Sequence, residues 1–356
     1  MNLKCSIFIF LIPVFIFSQE KLILEDSTPN NSKFIEDYSN QLNIKFDVTN
    51  DRVSYFIPFE TSQAEIRSNL NISYGLVFSY KFLSVRLGMR PKLSENELKN
   101  KGKTDRFRLR VKFLFDNWTH RLEYNYTRGF YIENTSEFEN DIKNSNFKVQ
   151  FPYLRTNMLS GSSNYKFNGN YSMKALESNT EIQLKSTGTF LAGFNYAFYF
   201  VNGTDRIKLE NQELLQRTSY NDFSGFSPIF YIGYHYTFVF HNYWYLNVYL
   251  DPGIGFDFYQ NKFYNQGESN DNLNSNVFFQ VKSGFSGGYN GRKIYFGGTF
   301  KYNYNSDKAE NNTLGLQPIK NSFHLFFGYR FKAPKQVTKP IEYIEEKVPV
   351  LKQNNI

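Results

Sequence analysis

Cysteine is almost missing from this chain of 356 residues. Cys5 stands ahead of the N-terminal apolar run, not at its end where a lipid-acceptor cysteine would be. Disulfides and cysteine-held metals are thereby excluded as sources of stability. Long apolar runs are also lacking once the first turns of sequence are passed, whereas a spanning helix needs roughly 18 to 20 such residues. The body of the chain cannot therefore cross a membrane as helices. Methionine (4) and tryptophan (2) are scarce, and the four histidines, His120, His235, His241 and His324, lie far apart. No His-Glu-x-x-His, calcium-loop or paired-cysteine spacing occurs, so neither a metal nor another cofactor is expected.

Aromatic residues are what the chain has in quantity, 39 Phe and 27 Tyr, although its mean hydropathy is only -0.51. An antiparallel sheet with one greasy and one wet face reconciles the two, because each apolar residue is followed by a polar one on the opposite side. The formal charge of +8 comes from 41 Lys and Arg against 33 Asp and Glu. These cations alternate along strand-like segments instead of forming a basic stretch, and no nucleic-acid partner is expected.

The alternation is cleanest between Thr104 and Tyr126. Phe107, Leu109, Val111, Phe113 and Phe115 share one parity, and Arg106, Arg108, Arg110 and Lys112 share the other. Only a strand separates them so completely. Asp116-Asn117 breaks the pattern, after which Leu122, Tyr124 and Tyr126 oppose Arg121, Glu123 and Asn125, which predicts a hairpin. Repeated along the chain behind an export signal, this is the pattern of a wall between lipid and water.

That signal is read from Lys4, the apolar core Ser6–Phe17 and a small residue, Ser18, before the cut. The expected organisation is a signal peptide over 1–18, a mobile periplasmic lead-in over 19–39, a barrel over 40–332 and a disordered periplasmic tail over 333–356 carrying Pro334, Pro340 and Pro349. Within the barrel region the first strand is read at Leu42–Val48, continued by Val53–Phe59. Connections are short near Lys81, Asn117, His241 and Asn290, and long and polar at 91–103, 133–145, 201–223, 260–274 and 305–320. Outer-membrane barrels keep short turns in the periplasm and long loops outside, and with both ends of the barrel in the periplasm the strand count is even. The expected fold is an all-β, antiparallel transmembrane up-and-down barrel of about twelve strands, or fourteen if Tyr171–Ser178 is a strand of its own.

The run FNGNYSMKALESNTEIQLKSTGTFLAGFNY, Phe167–Tyr196, resembles the signature of a group of exported Gram-negative proteins known as domain of unknown function 4421. Asn168, Ser172, Gln183, Ser186 and Gly188 stand at the matching positions. Ser79–Gly88, Leu250–Phe258 and Gly287–Gly298 are similar as well, so the resemblance spans roughly residues 40 to 332. It implies an outer-membrane barrel and brings with it no activity and no functional residue.

The candidate site is a basic ladder facing the lumen, formed by Arg86, Arg90, Arg106, Arg108, Arg110, Lys112 and Arg121. Rings of Arg and Lys favour anions in a pore. The competing reading pairs them with Glu123, Asp251 and Asp257 to fill the lumen with salt bridges. Tyr243, Tyr245 and Tyr249, with Asn247 and Tyr259, share an inner face that could stack on a saccharide or simply fill a narrow barrel. A barrel lipid hydrolase or acyltransferase would need a serine, a histidine and an orienting acid within reach. Ser322 beside His324 is the nearest hint of one, no catalytic residue is assigned, and the chain is not expected to be an enzyme. The expected function is a structural or interaction barrel, or a narrow pore with a basic lumen. The alternatives are an anion- or saccharide-selective channel and, after it, the lipid-modifying enzyme. Expected partners are outer-membrane lipid, the barrel assembly machinery acting through Phe323–Phe331, and anions or saccharides.

Overall fold

The computed structural model describes residues 34–50, 54–59, 62–70, 72–137, 146–210, 214–216, 219–241, 243–265, 268–306, 315–317 and 321–348. The expected signal peptide, most of the lead-in and the last residues of the tail lie outside them.

Twelve strands form the wall. They are β1 (Gln41–Asn50), β2 (Ser73–Tyr80), β3 (Leu83–Met89), β4 (Asp105–Leu114), β5 (Trp118–Ile132) and β6 (Gln150–Lys166). The second half comprises β7 (Thr187–Asn202), β8 (Ser219–Phe240), β9 (Trp244–Asn265), β10 (Glu268–Asn290), β11 (Ile294–Asn305) and β12 (Asn321–Lys332). Each pairs antiparallel with the next, and β12 returns to β1 through pairs such as Phe327 with Phe46 to close the barrel. The hairpin read from the sequence is β4–β5, with Val111 opposite Leu122 and Arg110 opposite Glu123. Its apolar parity points outward, where Phe107, Leu122 and Tyr124 are exposed, and its charged parity points into the lumen. A closed ladder satisfies every strand's backbone without water, which is what a bilayer demands.

The short-turn end carries both ends of the barrel, Gln41 and Lys332, together with the β2–β3, β4–β5, β8–β9 and β10–β11 turns. Trp118 stacked on His120, Tyr165, Trp244, Tyr289 and Phe296 form clusters on its outer rim, as an aromatic girdle at a lipid–water interface does.

The first strand is continued by Ser54–Phe59 as a second segment, which pairs with Ser62–Arg67 in a small hairpin that carries on the β1–β2 ladder, and with Gly315–Gln317 ahead of β12. The structure alters several expectations. The polar stretches 201–223 and 260–274 are largely strand, since β8, β9 and β10 run for 22, 22 and 23 residues. About 9–11 residues suffice to cross a bilayer. The excess extends the ladder at the long-loop end, and its polar composition made it resemble loop. The 91–103 connection contains helix α1 (Glu95–Lys101), started by a capping box in which Ser94 and Glu97 exchange hydrogen bonds. Tyr171–Ser178 is not a strand, because Ser172 caps the short helix α2 (Met173–Glu177). Nor is the tail without structure. Helix α3 (Lys335–Lys347) lays Val337 and Ile341, one turn apart, against Tyr80, Phe82 and Phe115 at the short-turn end, and Glu345 pairs with Lys81 at 2.5 Å. The end of the lead-in is likewise fixed, with Ile35–Asp37 paired to Glu181–Gln183.

Candidate functional site

The connection from β6 to β7, residues 167–186, does not turn back outside the barrel but folds into the lumen as a plug. Its own residues hold its shape. Asn168 donates from Nδ2 to the Gly188 carbonyl (2.8 Å), the Ser172 hydroxyl accepts from the Ala175 amide (2.8 Å), and the Gln183 side chain accepts from the Ser172 amide while donating to the Asn170 carbonyl (2.8 and 2.9 Å). The wall then holds the plug. Lys45 donates to Asn179 Oδ1 (3.0 Å), Arg330 donates to the Asn179 carbonyl (2.6 Å), Asn247 donates to the Tyr171 hydroxyl (2.7 Å), and Asn290 donates to the Glu181 carbonyl (3.0 Å). Lys174 pairs with Asp116 in the β4–β5 turn at 2.8 Å and with Glu181 at 3.2 Å. Asn179 takes φ of 59°, a left-handed conformation that Asn tolerates better than most residues.

At the long-loop end the lumen holds a different material. Leu154, Tyr199, Val201 and Phe223 are buried on inward positions of β6, β7 and β8, joined by Tyr259 of β9. Ala64 and Ile66 of the small hairpin, with Phe130, Ile132, Phe147, Val149 and Phe151, complete one apolar cluster.

Between plug and cluster lies a chamber of about 380 Å³. Seven cationic side chains line it, Lys45, Arg86, Arg110, Lys112, Arg121, Lys282 and Lys301, against three carboxylates, Asp47, Glu177 and Asp251. Asp47 is engaged by Arg86 at 2.6 Å and lies 3.5 Å from His324; Asp251 is 2.9 Å from His235 Nε2. Gly75 and Gly233 lie directly beneath these two carboxylates, where any Cβ would overlap Asp47 with Arg86, or Asp251. The plug supplies Glu177, paired with Lys112 and 3.8 Å from Arg121. Burial pushes the Glu177 carboxyl up, but Lys112 and Arg121 outweigh it and hold the group well below the usual carboxylate range.

Residues 25–331 match the family model described as a domain of unknown function, DUF4421. The chain belongs to that family. Of the five signature residues of the DUF4421 resemblance, Asn168, Ser172, Gln183 and Ser186 belong to the plug, and Gly188, in β7, supplies the carbonyl to which Asn168 donates. Ser186, the one not yet placed, accepts from the Val239 amide at 2.9 Å where the plug returns to the wall. No curated protein matches the chain. Among solved structures it is similar to the β domain of the Bordetella autotransporter BrkA, at 9% identity and a TM-score of 0.38, covering 82% of this chain and 100% of that one. The translocator domain of the autotransporter NalP from Neisseria meningitidis gives 9% and 0.37, covering 82% and 88%. LpxR from Salmonella typhimurium gives 10% and 0.30, covering 81% and 99%.

The ladder read from the sequence of this DUF4421 protein divides in the structure. Arg86, Arg110, Lys112 and Arg121 reach the chamber. Arg108 shares Glu123 with Arg110, at 2.6 and 2.5 Å, and Arg106 donates to Asn125 Oδ1 at 3.1 Å. Arg90 sits at the rim on Asp105, 2.8 Å away, because β3 ends before it. Of the aromatics, Tyr249 lines the chamber with His235 stacked on it at 5.0 Å. Tyr243 and Tyr245 do not reach it; they border the plug, since Tyr243 lies in the β8–β9 turn and Tyr245 at the start of β9, at the short-turn end. His120 Nδ1 and Ser163 Oγ are 2.9 Å apart on the outer face, and among the described residues no carboxylate is hydrogen-bonded to that histidine. Lys45, Asp47, Lys282 and Lys301 were missed, and His235 and His324, named from the sequence, were not assigned to the lumen. All follow from extending the inward parity of β4 around the wall, whereas Glu177 reaches the chamber only through the plug's fold.

Proposed function

We propose that this protein is an integral barrel of the Gram-negative outer membrane, exported with a cleaved signal peptide, that encloses a basic chamber and offers no continuous aqueous path across the membrane. The observation that carries the reading is that the lumen holds the hydrogen-bonded plug on one side of the chamber and the apolar cluster on the other. It works as a holding or interaction barrel instead of a diffusion pore. On this reading its partners are lipid along the outer apolar band and the assembly machinery reached through Phe323–Phe331. The long β8–β10 walls would rise beyond the lipid, with the short-turn end and α3 in the periplasm.

Planar-bilayer recording of refolded protein, with heat-shifted mobility verifying the fold, tests the proposal. Electrical silence is expected. Discrete, long-lived conductance steps with anion preference would replace it with the channel reading.

A further inference from the structure

We infer that the chamber is a binding site for a small organic oxyanion, a phosphate monoester carried on a sugar-sized polar body, held between Arg121 and Lys282. The inference rests on the reading of the chamber as an enclosed space. Its carboxylates are already engaged by Arg86, His235 and Lys112. Two of its cations are poorly supplied. Among the described residues, Arg121 has the 3.8 Å contact to Glu177, with its Nε buried and without a hydrogen bond, and Lys282 has the Tyr231 ring, 5.2 Å from Nζ, and the field of Asp251, which His235 already engages. Their charges lie close enough to repel one another, with Lys301 adding to the field. A chamber walled by protein screens such repulsion poorly, so an anion between them is strongly favoured.

The unpartnered atoms show what else the ligand carries. Arg86 Nη1, Arg121 Nε and Asn195 Nδ2 are buried donors without acceptors, Ser162 Oγ is buried without a partner, and all four residues line the chamber. Three of them form one row, since Arg121 pairs across the strands with Ser162 and Ser162 with Asn195. Lys112 extends the row on β4 as the cross-strand partner of Arg121. Neighbouring strands stand about 4.8 Å apart, so Arg121 to Asn195 spans roughly 10 Å. A bare oxyanion would satisfy one end of that row, whereas a phosphorylated sugar would place its phosphate at Arg121 and Lys282 and its hydroxyls along Ser162 and Asn195. The volume of about 380 Å³ lies at the small end of the usual range for small-molecule sites, ~300–1,000 Å³.

The test is to refold the protein in the presence of glucose 6-phosphate, glucose or inorganic phosphate, exchange the buffer, and measure what is retained per folded barrel. Refolding with the probe present makes the result independent of an entry route. Retention of about one glucose 6-phosphate, at least tenfold tighter than phosphate and with no glucose, is expected. Arg121→Gln and Lys282→Gln should each weaken it tenfold or more, and Asn195→Ala should narrow the gap between glucose 6-phosphate and phosphate. Neither cation is in a close ion pair among the described residues, so both variants should fold, and Lys103→Gln at the long-loop end should bind as the parent does. The inference is overturned if folded protein retains no glucose 6-phosphate, if the Arg121→Gln, Lys282→Gln double variant retains it unchanged, or if glucose or phosphate is held equally well. Conductance of the same preparation separates the two proposals. A silent barrel that retains nothing removes the ligand, whereas a conducting barrel that retains it removes the closed lumen.

Discussion

At the short-turn end the lumen is occupied by one continuous segment tied to the wall through hydrogen bonds and ion pairs, whereas at the long-loop end it holds apolar side chains from several separate stretches. Directional bonds fix a single position and fail when one partner is removed. Apolar burial is tolerant of shape and depends mainly on volume. The two ends should therefore answer differently to mutation, the cluster through lost volume and the plug through stranded polar groups.

The largest effect is expected in the cluster. Phe151 is fully buried there, and Phe151→Ala should cost about 3–5 kcal/mol through transfer and cavity terms. Phe151→Leu should recover most of that in denaturant titrations of folded protein. A loss under about 1 kcal/mol for the alanine variant would mean that the cluster is not packed as described.

Asn179→Ala should cost less, about 1–3 kcal/mol, by leaving the Lys45 ammonium without its acceptor. Here a volume-matched apolar residue should give no rescue: Asn179→Leu should be at least as damaging as Asn179→Ala. Recovery by leucine would break the contrast between the two ends.

The smallest effect is a dependence on pH confined to the plug. Glu177 has a depressed folded pKa, so its contribution is complete above its ordinary value of 4.5 and is lost as pH falls through the lower folded one. For Lys174 burial pushes the ammonium down, but Glu181 and Asp116 outweigh it and raise the folded pKa. Its contribution is complete below the ordinary 10.5 and lost as pH rises through the folded value. Through these two groups the stability of the plug, followed by proteolysis of residues 167–186, should fall as pH leaves the window between about pH 5 and 10 on either side. The apolar cluster should show no such window. A slope between pH 6 and 9 would point to groups other than these two.

How much of this was legible in the sequence follows from the difference between wall and lumen. In β4 the arginines and the aromatics sort by parity alone, because a strand has two faces and a bilayer covers one of them. A count of about twelve strands, with fourteen as the alternative, followed from that sorting together with the alternation of short and long connections. The plug was not legible in the same way. Its Ser172, Asn179 and Gln183 act through bonds to residues such as Asn170, Ala175 and Lys45, at separations from three to more than a hundred positions, and no local period announces them. The family resemblance singled out the right residues there without saying what they build. The tail misled for a simpler reason. Prolines and charges dominate its composition, while the stripe that docks α3 consists chiefly of Val337 and Ile341.

Whether the plug is a fixed part of the barrel is tested most directly by hydrogen exchange, read by mass spectrometry on peptides covering Tyr171–Gln183 in the folded protein. The closed lumen requires these amides to be protected for as long as those of β9. Complete exchange within seconds, at the rate of an unstructured loop, would show that the segment leaves the lumen freely and would contradict the closed barrel.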